Sequence, residues 1–126
     1  MEVLGLKKKS FSMFFNGGEI WFEHLDSLYD QTELIKQKFM QDLLVIQRPS
    51  TSSFVAVILN ESNIDGEILD LIINEFSDLN KQLRKVVFIG LTMKMIRYVK
   101  KISAHTNFLI ICMDDLEKAK KWLVKK

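Results

Sequence analysis

The chain has 126 residues, of which 48% are apolar and 27% are charged, and its formal net charge is only +2. A chain of this length is expected to form one domain with its own core, and so small a charge gives no argument for nucleic acid or acidic membranes. The single cysteine, Cys112, excludes an internal disulfide, and no apolar run reaches the roughly 18 residues that span a bilayer. We therefore expect a cytoplasmic protein that is not transmembrane.

The first residues show no clear periodicity. Residues 1–10 are predicted to be an N-terminal lead-in, followed by one α/β domain over residues 11–126. Three lysines at positions 7–9 precede an apolar stretch, as in a signal peptide, but Asn16-Gly17-Gly18 ends that stretch and no small-residue cleavage site follows. We therefore expect no cleaved signal here.

A hairpin and a helix are predicted next. Asn16-Gly17 tolerates positive φ and favours a tight turn between strands at residues 11–15 and 20–24. Asp30 and Glu33 have capping-box spacing and predict the start of a helix. Its two sides are expected to divide as follows: Leu34, Ile35, Phe39, Leu43 and Ile46 inward, and Lys36, Gln37, Lys38 and Gln41 outward.

The end of this helix has two interpretations. Turn-forming residues 48–53, which include Pro49, end the helix in the first interpretation. In the second, residues 43–47 form a strand that is paired in a hairpin with residues 54–59.

Residues 54–76 are the centre of the prediction. Six apolar residues, FVAVIL at positions 54–59, are typical of a strand buried on both faces. Polar and small residues follow, and apolar residues then return at the spacing of one helix face, from Ile68 to Phe76. This helix is expected to run to about Gln82, with Leu79 and Leu83 extending its apolar side. Open α/β sheets commonly place binding loops where such a strand leads into its helix.

Two more strand–helix pairs follow. Residues 85–89 predict a buried strand, and Thr92 is a suitable N-cap for a helix whose lysines and arginine face outward. Residues 108–112 predict another strand, and Asp114 with Glu117 predicts a capping box that opens the last helix. The fold class is therefore α/β: a single-domain mixed sheet with an N-terminal hairpin, then β-α units with right-handed crossovers, and helices packed on the sheet.

Catalytic machinery is nearly absent from the sequence. His24 and His105 lie far apart without metal-ligand spacing, and Cys112 within an apolar strand is expected to be an inert core thiol. The carboxylates at positions 114–117 suit helix capping better than metal binding. Few aromatic residues interleave with the lysines of the helix after Thr92, so no nucleic-acid groove is expected. We predict a non-enzymatic protein without cofactor or metal.

Two polar loops are the candidate site. One lies before the helix of residues 68–76, where two carboxylates argue against a phosphate ligand. The other follows the next strand. An exposed Met93 or Met95 there would suit an adaptable protein surface, whereas a packed Met93 would fill the core. Helix capping alone, by Asn63 or Asp65, is the alternative role for the first loop. The predicted partner-binding residues are Ser62, Asn63, Asp65, Gly66, Glu67, Thr92, Met93 and Met95.

The order of elements and several short patterns resemble the STAS domain family, which includes the SpoIIAA-like anti-sigma-factor antagonists. The matching pieces extend from about Phe14 to Val124 and include Leu25-Asp26, Ile64-Asp65-Gly66-Glu67, Leu91-Thr92 and the Asp-Asp-Leu-Glu-Lys-Ala run at 114–119. The resemblance implies a regulatory, non-enzymatic protein–protein interaction module. Its partner would be a protein such as an anti-sigma factor or a kinase-like regulator.

The chain departs from this family at one position that matters for regulation. The serine that a kinase modifies in family members falls where this chain has Gly66 and Glu67, and neither can be phosphorylated. Glu67 places a fixed negative charge there, with less charge than a phosphate group. Some STAS-related proteins are compared with lipid-binding domains, so a small-molecule or lipid carrier is the alternative function.

Overall fold

The computed structural model describes residues 8–125. Most of the predicted lead-in, residues 1–7, lies outside this range. The described part contains five strands and four helices: β1 (Phe11–Phe15), β2 (Gly18–His24), α1 (Thr32–Ile46), β3 (Phe54–Ile58), α2 (Gly66–Ser77), β4 (Lys85–Ile89), α3 (Met93–Ile102), β5 (Leu109–Met113) and α4 (Leu116–Val124). A short 3₁₀ turn, Ser103–His105, follows α3.

The strands form one mixed sheet in the order β1-β2-β3-β4-β5. β1 pairs with β2 antiparallel, and every later neighbour is parallel. The hairpin turn uses Asn16 at φ 49° and Gly17 at φ 86°, the positive values that the Asn-Gly pair predicted. The predicted α/β class, with a hairpin followed by β-α units, is confirmed.

Three helices share one face of the sheet, and the fourth lies on the other. The strand order advances by one position at each crossover, so right-handed connections place α1, α2 and α3 on the same side. Their core includes Phe39, Ile72 and Val99. Because α4 follows the last strand, no crossover constrains it, and it packs Ala119 and Leu123 on the opposite face.

β3 is buried on both faces, as its continuous apolar run predicted. Val55 and Val57 contact the layer of three helices, whereas Ala56 and Ile58 contact the layer of α4. Parallel neighbours on both sides complete its hydrogen bonding. No helix within residues 8–125 is long and apolar enough to cross a membrane.

Three predictions about α1 need revision. Residues 43–46 belong to the helix, so the strand interpretation is wrong. The N-cap is Gln31, and it makes no capping bond through its side chain. Asp30 instead accepts a hydrogen bond from the Asn63 side chain of a neighbouring loop. Lys38 was predicted to face outward, but it is buried between α1 and the sheet. Its ammonium group donates hydrogen bonds there to Ser10 and Asp42.

Smaller corrections concern α2, α4 and the last strand. α2 ends at Ser77 rather than near Gln82, although Leu83 is still buried just before β4. Asp115, not Asp114, caps α4 and accepts hydrogen bonds from two backbone N–H groups. The last strand begins one residue later than predicted, and Phe108 before it is buried in the core.

Candidate functional site

Three loops meet at the carboxyl end of the parallel strands. The loop after β2 runs beside the loop after β3, and three backbone hydrogen bonds join them. Ser27 N–H donates to Asn60 O at 2.8 Å, and Tyr29 N–H donates to Glu61 O at 2.9 Å. In return, Asn63 N–H donates to Tyr29 O at 2.8 Å. The two loops therefore form one continuous piece of surface.

This surface encloses a depression of about 530 Å³, and the turn after β4 closes one side of it. Its lining residues are Asp30, Thr32, Ser62, Asn63, Ile64, Asp65 and Thr92. Four predicted site residues are among them, so the structure brings together two loops that lie far apart in sequence. We call residues 29–30, 62–67 and 92–95 the carboxyl-end surface.

The Ser62 hydroxyl is engaged within the fold. It donates to the Leu25 carbonyl at 2.6 Å and accepts from the Leu28 N–H at 3.0 Å. Both bonds tie the loop after β3 to the loop after β2. Ser62 therefore holds the surface together, and its hydroxyl already donates and accepts within the fold.

Asp65 and Thr92 cap the two helices that start at this surface. Asp65 Oδ1 accepts from the Ile68 N–H at 2.9 Å, and Thr92 Oγ1 accepts from the Met95 N–H at 3.3 Å. The capping predictions for both residues are confirmed. Both side chains are exposed, so each remains reachable by a partner while it caps its helix.

Gly66 lets α2 and α3 approach closely. A Cβ atom at Gly66 would stand 3.2 Å from the Tyr98 ring of α3, which is tighter than ordinary contact. The Tyr98 hydroxyl donates to Asp70 on α2 at 2.8 Å, and this bond raises the pKa of Tyr98. Gly66 thus has a packing role, and a large residue there would disturb two helices.

Glu67 and the two methionines differ in exposure. The Glu67 side chain is exposed and forms an ion pair with Lys36 of α1, so its charge is partly offset. Met93 is 64% exposed, and the alternative of core packing is wrong for this residue. Met95 is half-buried and packs against the core.

The sequence prediction missed Tyr29. This residue is 50% exposed beside Asn63, and its φ of 49° is unusual for an aromatic residue. Ser27 and Glu61 in the joined loops also have positive φ, at 59° each. Strained backbone often accumulates at functional sites. Parallel pairing of β2 with β3 was the signal that could have placed this loop at the same edge.

A buried polar cluster lies elsewhere, between α1 and β2. Glu23 is fully buried, and its Oε1 accepts from the Trp21 indole at 2.9 Å. Its Oε2 has no N–H or O–H donor among the described residues, and a proton on this atom would let it donate to the neighbouring Asp42 carboxylate. Lys38 Nζ completes the cluster, at 2.8 Å from Asp42 and 2.9 Å from Ser10 Oγ.

Burial raises the pKa of Glu23 well above its ordinary value, and the hydrogen bond to Asp42 raises it further. Such a carboxyl is a candidate acid or base only if it opens into a cleft. Glu23 lines none of the cavities found among residues 8–125. We therefore assign it to the architecture of the core.

Other candidate groups can be placed as well. Burial raises the pKa of the half-buried Cys112 thiol to about 11, so the thiolate nucleophile is scarce at neutral pH. Within residues 8–125, no three His, Cys, Asp or Glu side chains cluster closely enough to hold a metal ion. His24 contacts Asp26 through Nδ1 at 2.9 Å.

No family model, curated protein or solved structure matches this chain. The STAS resemblance of the sequence therefore stays a prediction.

Proposed function

We propose that this chain is a regulatory, non-enzymatic module that binds a protein partner through its carboxyl-end surface. One observation carries the proposal: Tyr29 and Met93, two large exposed apolar side chains, belong to loops that surround one shared depression. Aromatic residues and methionine are enriched in protein interfaces and supply much of their binding energy. The polar residues around them would form the rim of such an interface.

The charge of this surface indicates the chemistry of the partner. Asp30 and Asp65 line the depression, and Glu67 adds a third carboxylate beside it. Lys36 offsets only part of this charge, so a partner with a basic rim would be complementary. By its resemblance to STAS domains, we propose an anti-sigma factor or a kinase-like regulator as the class of partner.

Glu67 would act as a permanent charge in this role. Its carboxylate stands at the start of α2, where the STAS resemblance places a phosphoserine. A single carboxylate carries less charge than a phosphate and is already paired with Lys36. We propose that the module is held in one binding state and is not switched by phosphorylation at this position.

A lipid carrier would hold its ligand between the helices and the sheet, and the cavity found there gives this function less support. The cavity between α3 and β5 has a volume of about 190 Å³. Ligand pockets typically have volumes of about 300–1,000 Å³. This cavity is too small for an acyl chain without a rearrangement of α3.

The proposal is tested with a pair of exposed positions. Met93→Lys alters the carboxyl-end surface, and Leu44→Lys alters α1 at a residue of nearly equal exposure, 62% against 64%. Each protein is immobilised, partners are captured from a lysate of the source cell, and the captured protein is then purified for affinity measurements. We expect Met93→Lys to weaken binding about tenfold or more, as for an interface hot spot, and Leu44→Lys to bind normally.

Equal loss of affinity in both variants, or in neither, would contradict docking at this surface. Asp65→Asn then tests the charge separately, because asparagine caps a helix as well as aspartate does. Binding to a basic partner should weaken and become less sensitive to salt in this variant.

A further inference from the structure

A second concave site lies at the amino end of the sheet, opposite the carboxyl-end surface. Its volume is about 630 Å³, within the range of about 300–1,000 Å³ that is typical of small-molecule sites. The starts of β3 and β4, the hairpin turn and the end of α4 surround it. We call it the amino-end pocket, and its lining includes Gly18, Phe54, Arg84, Lys85, Trp122 and Lys125.

The inner wall of the amino-end pocket is apolar and aromatic. Phe54 and Trp122 are both half-buried, and Val124 joins them at the end of α4. Gly18 allows this approach, because a Cβ atom there would stand only 2.7 Å from Val124. A Cβ atom at Gly17 would meet no described atom within 4 Å, so the mouth of the pocket is open on this side.

Lys85 is bonded within the fold and forms part of the pocket wall. Lys85 Nζ donates to the carbonyl oxygens of Trp122 and Lys125, both at 2.8 Å. It also stands 5.0 Å from the centre of the Trp122 ring. These contacts satisfy the C-terminal carbonyls of α4 and fix the indole as one wall.

Two other cations remain available at the mouth. The Arg84 guanidinium lies 5.5 Å from the centre of the Phe54 ring, and both Arg84 and Lys125 are exposed. Among the described residues, neither has a carboxylate within ion-pair distance, and no acidic residue lines the pocket. A guanidinium that contacts a ring in this way keeps its N–H groups free, and two of them can bind one anion in parallel.

We propose that the amino-end pocket binds a small organic anion that carries a flat apolar ring. The anionic group would pair with Arg84 and Lys125, and the ring would lie against Trp122 and Phe54. A positive mouth over an aromatic wall recognises both parts of such a ligand at once. This site is separate from the carboxyl-end surface and does not depend on the function proposed for it.

The two tryptophans provide an internal control for the test. Trp122 lines the pocket, whereas Trp21 is buried in the other layer with its indole N–H bonded to Glu23. The ¹⁵N-labelled protein is titrated with 2-naphthoate, which has ring and charge. Parallel titrations use 2-naphthalenemethanol, which has only the ring, and acetate, which has only the charge. We expect saturable shifts of the Trp122 indole signal with 2-naphthoate and a stationary Trp21 signal.

Variants then assign the charge recognition. Arg84→Gln should weaken 2-naphthoate binding about tenfold or more, which is the loss expected for a hydrogen-bonded charge pair. Arg97→Gln removes an exposed arginine of α3 that lies outside the pocket, and it should bind normally.

Three outcomes would overturn the proposal. The first is equal affinity for 2-naphthalenemethanol, which would show an apolar patch without anion recognition. The second is unchanged binding by Arg84→Gln. The third is the absence of any saturable Trp122 shift up to millimolar 2-naphthoate. This outcome would overturn the proposal even if a polyanion such as single-stranded DNA shifted the Trp122 signal.

Discussion

At the scale of single residues, the Glu23–Asp42–Lys38 cluster shows how strongly burial changes side-chain chemistry. Burial alone would raise the pKa of Asp42, but hydrogen bonds from Glu23, Lys38 and Ser10 outweigh it and lower this pKa. Glu23 has the opposite shift. These opposite shifts favour a protonated Glu23 that donates to an ionised Asp42 next to Lys38.

The shift of Glu23 predicts a pH-dependent stability. Because its pKa is higher in the native state than in the unfolded chain, its contribution is complete below about pH 4 and is lost as pH rises through the native pKa. Glu23→Gln cannot ionise, and its amide can still accept from Trp21 and donate to Asp42. The free energy of unfolding of this variant, minus that of the wild type, should therefore increase as pH rises from 4 to 8.

Urea denaturation of both proteins at several pH values measures this difference. A constant difference across that range would show that Glu23 titrates normally and would contradict its raised pKa.

Lys38 should be far more important for stability than its neighbour Lys36. Lys38→Met leaves the half-buried Asp42 carboxylate without its cation, and breaking a pair whose cation is buried costs about 3 kcal/mol. Lys36→Met breaks only the surface pairs with Glu67 and Glu33 and should cost much less. Urea denaturation at pH 7 compares the two, and equal costs would mean that Lys38 is solvated in solution.

At the scale of elements, the turns at the strand ends decide which loops can form the carboxyl-end surface. Gly90 follows β4 with φ 94°, and a Cβ atom there would stand 2.8 Å from the backbone nitrogen of Asn60. The turn after β4 therefore reaches the loop after β3 only because residue 90 has no side chain. Thr92 then begins α3 beside Asp65.

Two glycines with similar backbone angles separate strain from contact. Gly17→Ala, at φ 86° with open space around it, should cost about 1 kcal/mol of stability. Gly90→Ala adds a backbone clash with Asn60 and should cost more than about 2 kcal/mol. Thermal unfolding measures both variants, and equal shifts of Tm would show that the loops are not in close contact at Gly90.

At the scale of the whole molecule, an aromatic series joins elements from both ends of the chain. The Phe76 ring of α2 lies 5.5 Å from the Phe39 ring of α1 and 6.4 Å from the Phe108 ring before β5. Both contacts are edge-to-face, the geometry that aromatic pairs prefer. Phe76 therefore links three β-α units in one core.

Removing this link should destabilise the entire domain. Phe76→Ala leaves a cavity in a fully packed region and should cost about 3–5 kcal/mol. Phe14→Ala, at a ring that is 75% exposed on β1, should change stability by less than about 0.5 kcal/mol. Denaturation followed by circular dichroism and by tryptophan fluorescence should give one transition for each protein. Separate transitions for Phe76→Ala would show that the units unfold independently.

The sequence by itself determined the elements and the class of fold. The apolar runs at β3 and β4, the Asn16-Gly17 turn and the caps at Asp65 and Thr92 depend on neighbours within a few residues. Local patterns are sufficient for such features because strand and helix periodicity and turn chemistry act over short distances. The nearness of the loops after β3 and β4 also follows from the sequence, if these two strands are parallel neighbours.

Only the tertiary structure decided what each polar side chain meets. Lys38 has the sequence context of an exposed helical lysine, and it is buried because Asp42 and Ser10 meet it beside β2. Tyr29 joined the site through pairing of β2 with β3, and the amino-end pocket gathers residues from the hairpin, two strands and α4. Such contacts depend on strand order and crossover handedness, which act between residues far apart in the chain.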